Sequence, residues 1–144
     1  MERTLATVIG VALLSCASAA SADFPASFPV AKYVFAGISL DRTEKVFIDP
    51  DPYRSDDEVS GALTRLFSSE QTHSSGRHYW ARRTGFRGDC AANTFYLSEV
   101  SGYQDQNGVD QFADDVPNPM PPMEERAVTP KSLGDIVLSA ACKR

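Results

Sequence analysis

The stretch RHYWARRTGFRGDC, residues 77–90, decides the fold of this chain. Its residues alternate in character with a period of two, and side chains in a β-strand point alternately to opposite faces of a sheet. Trp80, Phe86 and Cys90 occupy even-numbered positions, whereas Arg83 and Arg87 occupy odd-numbered positions. We therefore predict a long strand whose even face is buried, whose odd face is in solvent, and which carries Cys90 on its buried side.

Shorter segments on both sides of this strand have the same period or are rich in β-branched and aromatic residues. Turn residues separate them, and Asp49-Pro50-Asp51-Pro52 ends one of them because proline has no N–H to donate to a sheet. The segments are Lys32–Phe35, Lys45–Ile48, Val59–Phe67, Thr94–Tyr103 and Val109–Phe112. We expect roughly four to six antiparallel strands between about Lys32 and Phe112.

The chain ends in a segment with a helical period. Small and apolar side chains recur three and four residues apart, which places them on one helix face; they are Leu133, Ile136, Val137, Ala140 and Ala141. Ser132 followed by Asp135 resembles a capping box, so a helix is predicted from about Pro130 to Cys142. Because its apolar face is narrow, this helix must lie on the sheet. The fold class is therefore α+β, an antiparallel sheet with one C-terminal helix packed on it.

The first 22 residues have the features of an export signal. The apolar run Leu5–Leu14 is much shorter than the roughly 20 residues that span a bilayer, and Ala20-Ser21-Ala22 offers a cleavage site between Ala22 and Asp23. A buried N-terminal helix is the alternative, but residues 15–22 are small and polar. We predict a signal peptide at 1–22 and one domain at 23–144.

A second processing route is open at Cys16. The segment Leu13-Leu14-Ser15-Cys16 partly resembles a bacterial lipoprotein cleavage site, although Leu14 stands where a smaller residue is usual. Lipidation of Cys16 would attach the protein to a membrane surface. The complete Ala-Ser-Ala site downstream favours the unlipidated form.

Cleavage after Ala22 leaves Cys90 and Cys142 as the only two thiols. Exported proteins meet an oxidising compartment, where two thiols in a packed domain tend to be joined. Because Cys142 continues the helix that must cover the buried face carrying Cys90, we predict a disulfide between them. Two free buried thiols are the alternative. A bridge that closes about 50 residues would stabilise the fold by about 4 kcal/mol.

Composition and motifs exclude several function classes. The net charge of -5 and the pI near 4.9 argue against nucleic acid as the main partner, because phosphate binding depends on positive surface. His73 and His78 have no third ligand at zinc spacing, and neither Ser74 nor Ser75 lies in a nucleophile elbow. We expect no metal, no cofactor and no catalytic residue.

A positive stripe is the one notable surface feature. Arg77, Arg83 and Arg87 are at odd positions and are expected on the outward face of the long strand. Guanidinium groups bind carboxylates and sulfates in a bidentate manner, so the stripe is a candidate anion-binding site. The alternative is pairing with Glu99, with Asp89 or with the acidic turns, which would select no ligand.

Four short motifs, in this order, resemble the bacterial surface-adhesin protein E family. They are Phe47-Ile48-Asp49-Pro50, Gly88-Asp89-Cys90, Val128-Thr129-Pro130-Lys131-Ser132 and Ala141-Cys142. The likeness extends over nearly all of residues 23–144. It implies a curved antiparallel sheet outside the cytoplasm, a C-terminal helix and a disulfide between helix and sheet. The best-known family member is a lipidated outer-membrane adhesin for host matrix proteins.

Two function classes follow. The first is an exported, non-enzymatic binding protein of the periplasm or bacterial cell surface, an adhesin for host extracellular-matrix proteins or for anionic polymers such as sulfated glycans. It would touch a membrane only through a lipidated Cys16. The second is a periplasmic enzyme or enzyme inhibitor whose site the sequence does not reveal.

Overall fold

The computed structural model describes residues 23–142. The predicted signal peptide, which includes Cys16 and the predicted cleavage residue Ala22, lies outside the described residues. A single turn of 3-10 helix, Val30–Lys32, precedes the strands. The strands are β1 Val34–Ile38, β2 Glu44–Ile48, β3 Tyr53–Ser55, β4 Glu58–Thr72, β5 His78–Asp89, β6 Thr94–Gln104, β7 Asp110–Ala113 and β8 Glu124–Arg126, followed by the helix α1, Leu133–Ala141.

The strands form one antiparallel sheet in the order β1-β2-β4-β5-β6-β7, so the predicted α+β class is confirmed. Six strands lie on this path. The other two lie beside it, where β3 pairs with β4 and β8 pairs with β6. These two strands have three residues each, too few for a periodic pattern to predict. The predicted turn between β1 and β2 is held by Asp41, which accepts from Ser39 and Thr43; these hydrogen bonds lower the pKa of Asp41 to about 2.

Helix α1 covers one face of the sheet, and the core lies between them. Its fully buried members are contributed by β2, β4, β5, β6 and α1: Val46, Ile48, Val59, Leu63, Phe86, Phe95, Leu97, Val137, Leu138 and Ala141. The helix begins at Leu133, three residues later than the predicted start near Pro130. Its N-cap is Ser132, as the capping box indicated, and the Oγ of Ser132 accepts from the N–H of Asp135 at 3.2 Å. The Asp135 carboxylate accepts from the N–H of Lys131 at 2.7 Å. Leu138, absent from the predicted face, is only 5% exposed.

The opposite face of the sheet carries a second core, which the sequence did not predict. Its buried members are Phe28, Phe47, Leu66 and Ala81, with Phe24 and Tyr33 packed against them. Residues 23–33 therefore cover this face, and Ala81, at an odd position of the long strand, is fully buried. The prediction of a solvent-exposed odd face is wrong at Ala81. Trp80 is only partly buried, because the register of β4 with β5 shifts between Leu66 and Gln71, opposite Trp80.

The predicted disulfide between Cys90 and Cys142 is confirmed, with Cα atoms 5.8 Å apart. Cys90 directly follows β5, and Cys142 is the C-cap of α1. The bridge therefore ties the end of β5 to the end of the helix. Within residues 23–142, no helix is long and apolar enough to cross a membrane.

Candidate functional site

The three arginines of the predicted stripe have different environments. Arg83 donates to both carboxylate oxygens of Asp49, at 2.8 and 2.5 Å, and this contact raises its pKa. Arg87 is exposed and its guanidinium lies 5.2 Å from the ring centre of Tyr96. The charge of Arg83 is thus neutralised within the molecule, as expected for pairing with an acidic turn, whereas Arg87 has no ion pair with the described residues.

Arg77 does not belong to the stripe. It precedes β5, and its guanidinium lies 5.1 Å from the ring centre of Phe112. Phe112 pairs with Tyr103, which pairs with Arg82 at an even position of β5, and directly paired residues share a face. The expectation that Arg77 shares the face of Arg83 and Arg87 is therefore wrong. The register shift in β4 and β5 separates them.

Arg87 is part of a row of residues that crosses the sheet on the face opposite α1. Each residue pairs directly with the next, in the order Tyr53, Ser60, Arg87, Tyr96 and Glu125. Tyr53 is 63% exposed. On the same face, the pair next to Ser60 and Arg87 consists of two small residues, Ala62 and Gly85. We call Tyr53, Arg87 and Tyr96 the tyrosine row. No sequence pattern pointed to Tyr53, because its strand is only three residues long.

On the face that carries α1 there is a cleft of about 470 Å³ beside the N-terminus of the helix. We call it the arginine cleft, because Arg65, Arg82 and Arg126 line it. The remaining wall consists of Leu97, Ser98, Glu99, Glu124, Ala127, Leu133 and Gly134. Four parts of the chain therefore build one concave site. They are the β4–β5 pair, β6, β8 together with Ala127, and the start of α1.

Arg82 differs from the other two arginines of the cleft. Arg65 donates to both carboxylate oxygens of Glu44 at 2.8 Å, and Arg126 contacts Glu124 at 2.8 Å. Arg82 donates through Nε to the Ser101 hydroxyl at 2.8 Å and forms no ion pair with residues 23–142. The sequence held one signal for this site, a charged residue at an even position of the strand, on the face predicted to be buried.

Burial also affects the tyrosine beside Arg82. The guanidinium carbon of Arg82 lies 5.9 Å from the ring centre of Tyr103. Burial raises the pKa of Tyr103, while the positive charge of Arg82 opposes that shift and the nearby carboxylate of Asp114 adds to it. Tyr103 therefore stays a neutral phenol that donates to Asp114, at 3.2 Å from each carboxylate oxygen.

Asp114 also contacts His73, and together with Ser75 they resemble the serine, histidine and aspartate of a hydrolase. His73 Nε2 lies 3.1 Å from Asp114 Oδ1, and His73 Nδ1 lies 2.8 Å from the Ser75 hydroxyl. However, the N–H of Ser75 donates to the same Nδ1, and the N–H of Gly76 donates to the carbonyl of His73. The two backbone donors nearest the hydroxyl are thus occupied and cannot stabilise an oxyanion. The network links the β4–β5 turn to the residue after β7.

The two histidines lie in different surroundings. His73 packs edge-on against Tyr103 and Phe112, whereas His78 is exposed, with Nδ1 3.9 Å from a Glu70 carboxylate oxygen. In the described part of the chain, no group of three or more histidine, cysteine or acidic side chains is placed to hold a metal ion.

Comparison with known proteins found no family model, no curated protein and no solved structure that matches this chain. The resemblance to the surface-adhesin protein E family therefore stays a prediction from the sequence motifs.

Proposed function

We propose that this protein is an exported, non-enzymatic binding protein of the adhesin type, which uses the tyrosine row to contact a partner protein. The observation that carries the proposal is one row across a single sheet face that contains two tyrosines and an arginine with no ion pair in the described part of the chain. Tyrosine and arginine are the residues enriched among the few side chains that supply most of the binding energy at protein interfaces.

The sheet fixes the backbone positions from which these three side chains project. Tyr53, Arg87 and Tyr96 lie on β3, β5 and β6, and β3 and β5 both pair with β4. Neighbouring strands are about 4.8 Å apart, so Tyr53 and Tyr96 are separated by about 14 Å along the row. Anchors that are already held in place lose little conformational entropy on binding.

The charges around the row favour a protein over a sulfated glycan. Glu58 and Asp89 pair with each other on the same face, and Glu125 follows Tyr96 in the row. Three carboxylates therefore surround the single unpaired guanidinium of Arg87. A highly sulfated chain would be repelled, whereas a protein surface with mixed charges can match this pattern. Within the adhesin hypothesis, a host extracellular-matrix protein is thus the preferred partner.

Export is supported by the signal-like segment and by the disulfide, which is compatible with an oxidising compartment. The mass of the protein recovered after expression in a bacterium would distinguish the two processing routes. A chain that begins at Asp23 supports release in unlipidated form. A chain that begins at an acylated Cys16 would instead place the protein on a membrane.

The binding proposal is tested with the oxidised protein, residues 23–144, passed over immobilised matrix proteins such as laminin, vitronectin and fibronectin. Arg87→Ala combined with Tyr96→Ala should weaken binding by about tenfold or more, because each removes an anchor side chain. Arg77→Ala is the matched control: it removes an arginine of the same strand region from the opposite face, and it should leave the affinity unchanged.

Two results would count against this proposal. Equal binding by the double variant and the wild type would show that the tyrosine row is not the site. Failure of the folded wild type to bind any of the matrix proteins would contradict the adhesin function itself. Thermal unfolding of each variant confirms that the comparison is made between folded proteins.

A further inference from the structure

The arginine cleft contains two opposite charges that do not neutralise each other. Arg82 and Glu99 both line it, yet within residues 23–142 neither forms an ion pair. The other charges of the lining are already satisfied, since Arg65 contacts Glu44 and Arg126 contacts Glu124. One cation and one anion are thus left facing a common cavity.

The cross-strand neighbour of Arg82 does not neutralise its charge. Arg82 lies directly opposite Arg65 across the β4–β5 pair, and like charges in directly opposed positions destabilise a sheet. Arg65 donates two hydrogen bonds to the carboxylate of Glu44, so Glu44 neutralises Arg65 and not Arg82. The terminal nitrogens of Arg82 remain available, because only Nε is engaged.

The orientation of the Arg82 guanidinium is fixed. Its Nε donates to Ser101 Oγ at 2.8 Å, and that oxygen lies 2.9 Å from the buried hydroxyl of Thr84. A guanidinium held by one edge presents its terminal nitrogens in a fork that matches a carboxylate. The guanidinium of Arg82 is therefore already oriented to donate to a carboxylate before one binds.

The start of α1 adds to the same effect. Leu133 and Gly134 line the cleft and are the first two residues of the helix. Their N–H groups have no carbonyl partner within the helix, and the helix dipole favours negative charge at this end. The start of α1 therefore favours negative charge in the same cleft that Arg82 lines.

We propose that the arginine cleft binds a small zwitterion, a free amino acid or a short peptide with free termini. Its carboxylate contacts Arg82 near the start of α1, and its ammonium group contacts Glu99, which is exposed at the rim. The volume of about 470 Å³ lies within the range of small-molecule sites, roughly 300–1,000 Å³.

The charge balance of the cleft selects this class of ligand. A polyanion would satisfy Arg82 but would be repelled by Glu99. A simple cation would satisfy Glu99 but would be repelled by Arg82. Only a molecule with one negative and one positive group satisfies both unpaired side chains, which is how a site gains specificity from repulsion as well as attraction.

The test uses the oxidised protein, residues 23–144, and a series of three probes: glycine, diglycine and triglycine. The distance between the two charges of the probe increases along this series. N-acetylglycine retains only the carboxylate, and glycinamide retains only the ammonium group. Titration calorimetry should show at least one zwitterion binding about tenfold or more tightly than either of these. Amide resonances of Leu133 and Gly134 should shift on addition of that probe.

Two variants test which side chain binds which charge of the ligand, and a third variant is the control. Arg82→Gln should reduce binding of the zwitterion by about tenfold or more. Glu99→Gln, at an exposed position that should not affect folding, should abolish the advantage of the free over the acetylated peptide. Arg77→Gln, at a position that does not line the cleft, should bind as the wild type does.

The proposal is overturned if no probe shifts the amides of Leu133 and Gly134 at millimolar concentration. It is also overturned if N-acetylglycine binds as tightly as every zwitterion, which would describe a simple anion site. Because the cleft and the tyrosine row lie on opposite faces of the sheet, Glu99→Gln should leave binding to matrix proteins unchanged. The two proposals can therefore fail independently.

Discussion

Two glycines, Gly88 and Gly37, set how closely the helix approaches the sheet. A Cβ atom added at Gly88 would lie 2.3 Å from Leu138 Cδ2 and 3.3 Å from the carbonyl oxygen of Thr94. Leu138 is 5% exposed and belongs to the core, so it has little space into which to move. Gly37 has a similar role, since a Cβ there would lie 2.9 Å from Ile136 Cγ2. The strands beneath α1 thus lack side chains where the helix crosses them.

Gly88→Ala should therefore destabilise the protein by about 1–3 kcal/mol, the usual cost of adding volume to a packed core. Gly102→Ala is the matched control, because a Cβ at Gly102, also within the sheet, would have no heavy atom within 4 Å. The control should be neutral or slightly stabilising, as alanine is less costly to order than glycine. Urea unfolding measures both, and equal stabilities of the two variants would contradict the argument.

At the scale of elements, α1 depends on its attachments. A helix of nine residues is too short to be stable alone. Its first turn is capped by Ser132, and its last turn is held by the disulfide and by Arg54 of β3, which donates to the carbonyl of Ala141. Because the start of α1 also forms a wall of the arginine cleft, its attachment affects the site as well as the stability.

Removal of the disulfide should lower the free energy of unfolding substantially. The bridge joins residues separated by 52 positions, which corresponds to roughly 4 kcal/mol of loop entropy before any strain is subtracted. Cys90→Ala combined with Cys142→Ala should lose about 2–4 kcal/mol in urea unfolding. Reduction of the wild type serves as the control and should give a similar loss. A change below about 1 kcal/mol in both would mean that the helix end is held by its other contacts.

At the scale of the whole molecule, the sheet is buried on both faces by different parts of the chain. The helix covers one face, and residues 23–33 cover part of the other. Phe28 is 3% exposed and lies 6.0 Å from Tyr33 and 6.4 Å from Phe47 between ring centres. The segment directly after the predicted cleavage site is therefore part of the folded structure rather than a loose tail.

Phe28→Ala should cost about 3–5 kcal/mol, the range for removal of a buried phenylalanine. Phe35→Ala removes the same side chain from a position that is 57% exposed, and it should cost less than about 1 kcal/mol. Thermal and urea unfolding of the two variants provide the comparison. Equal losses would show that the N-terminal segment contributes no core.

The sequence by itself determined the α+β class, the disulfide and the start of the helix, because each depends on local periodicity or on the scarcity of cysteine. The alternation in residues 77–90 placed Phe86 and Cys90 correctly, and Ser132 marked the helix cap. These features are set by the chain over a few residues, so no knowledge of distant contacts was needed.

Only the tertiary structure decided which arginines share a face and where the cavities lie. A register shift between two strands moved Arg77 away from Arg83 and Arg87, and an acidic residue after β2 neutralised Arg83. The second core needs residues 23–33 to fold back over the sheet. The arginine cleft needs β8 and the first turn of α1 beside Arg82. Such features arise from pairing between segments far apart in the chain, which a local pattern does not encode.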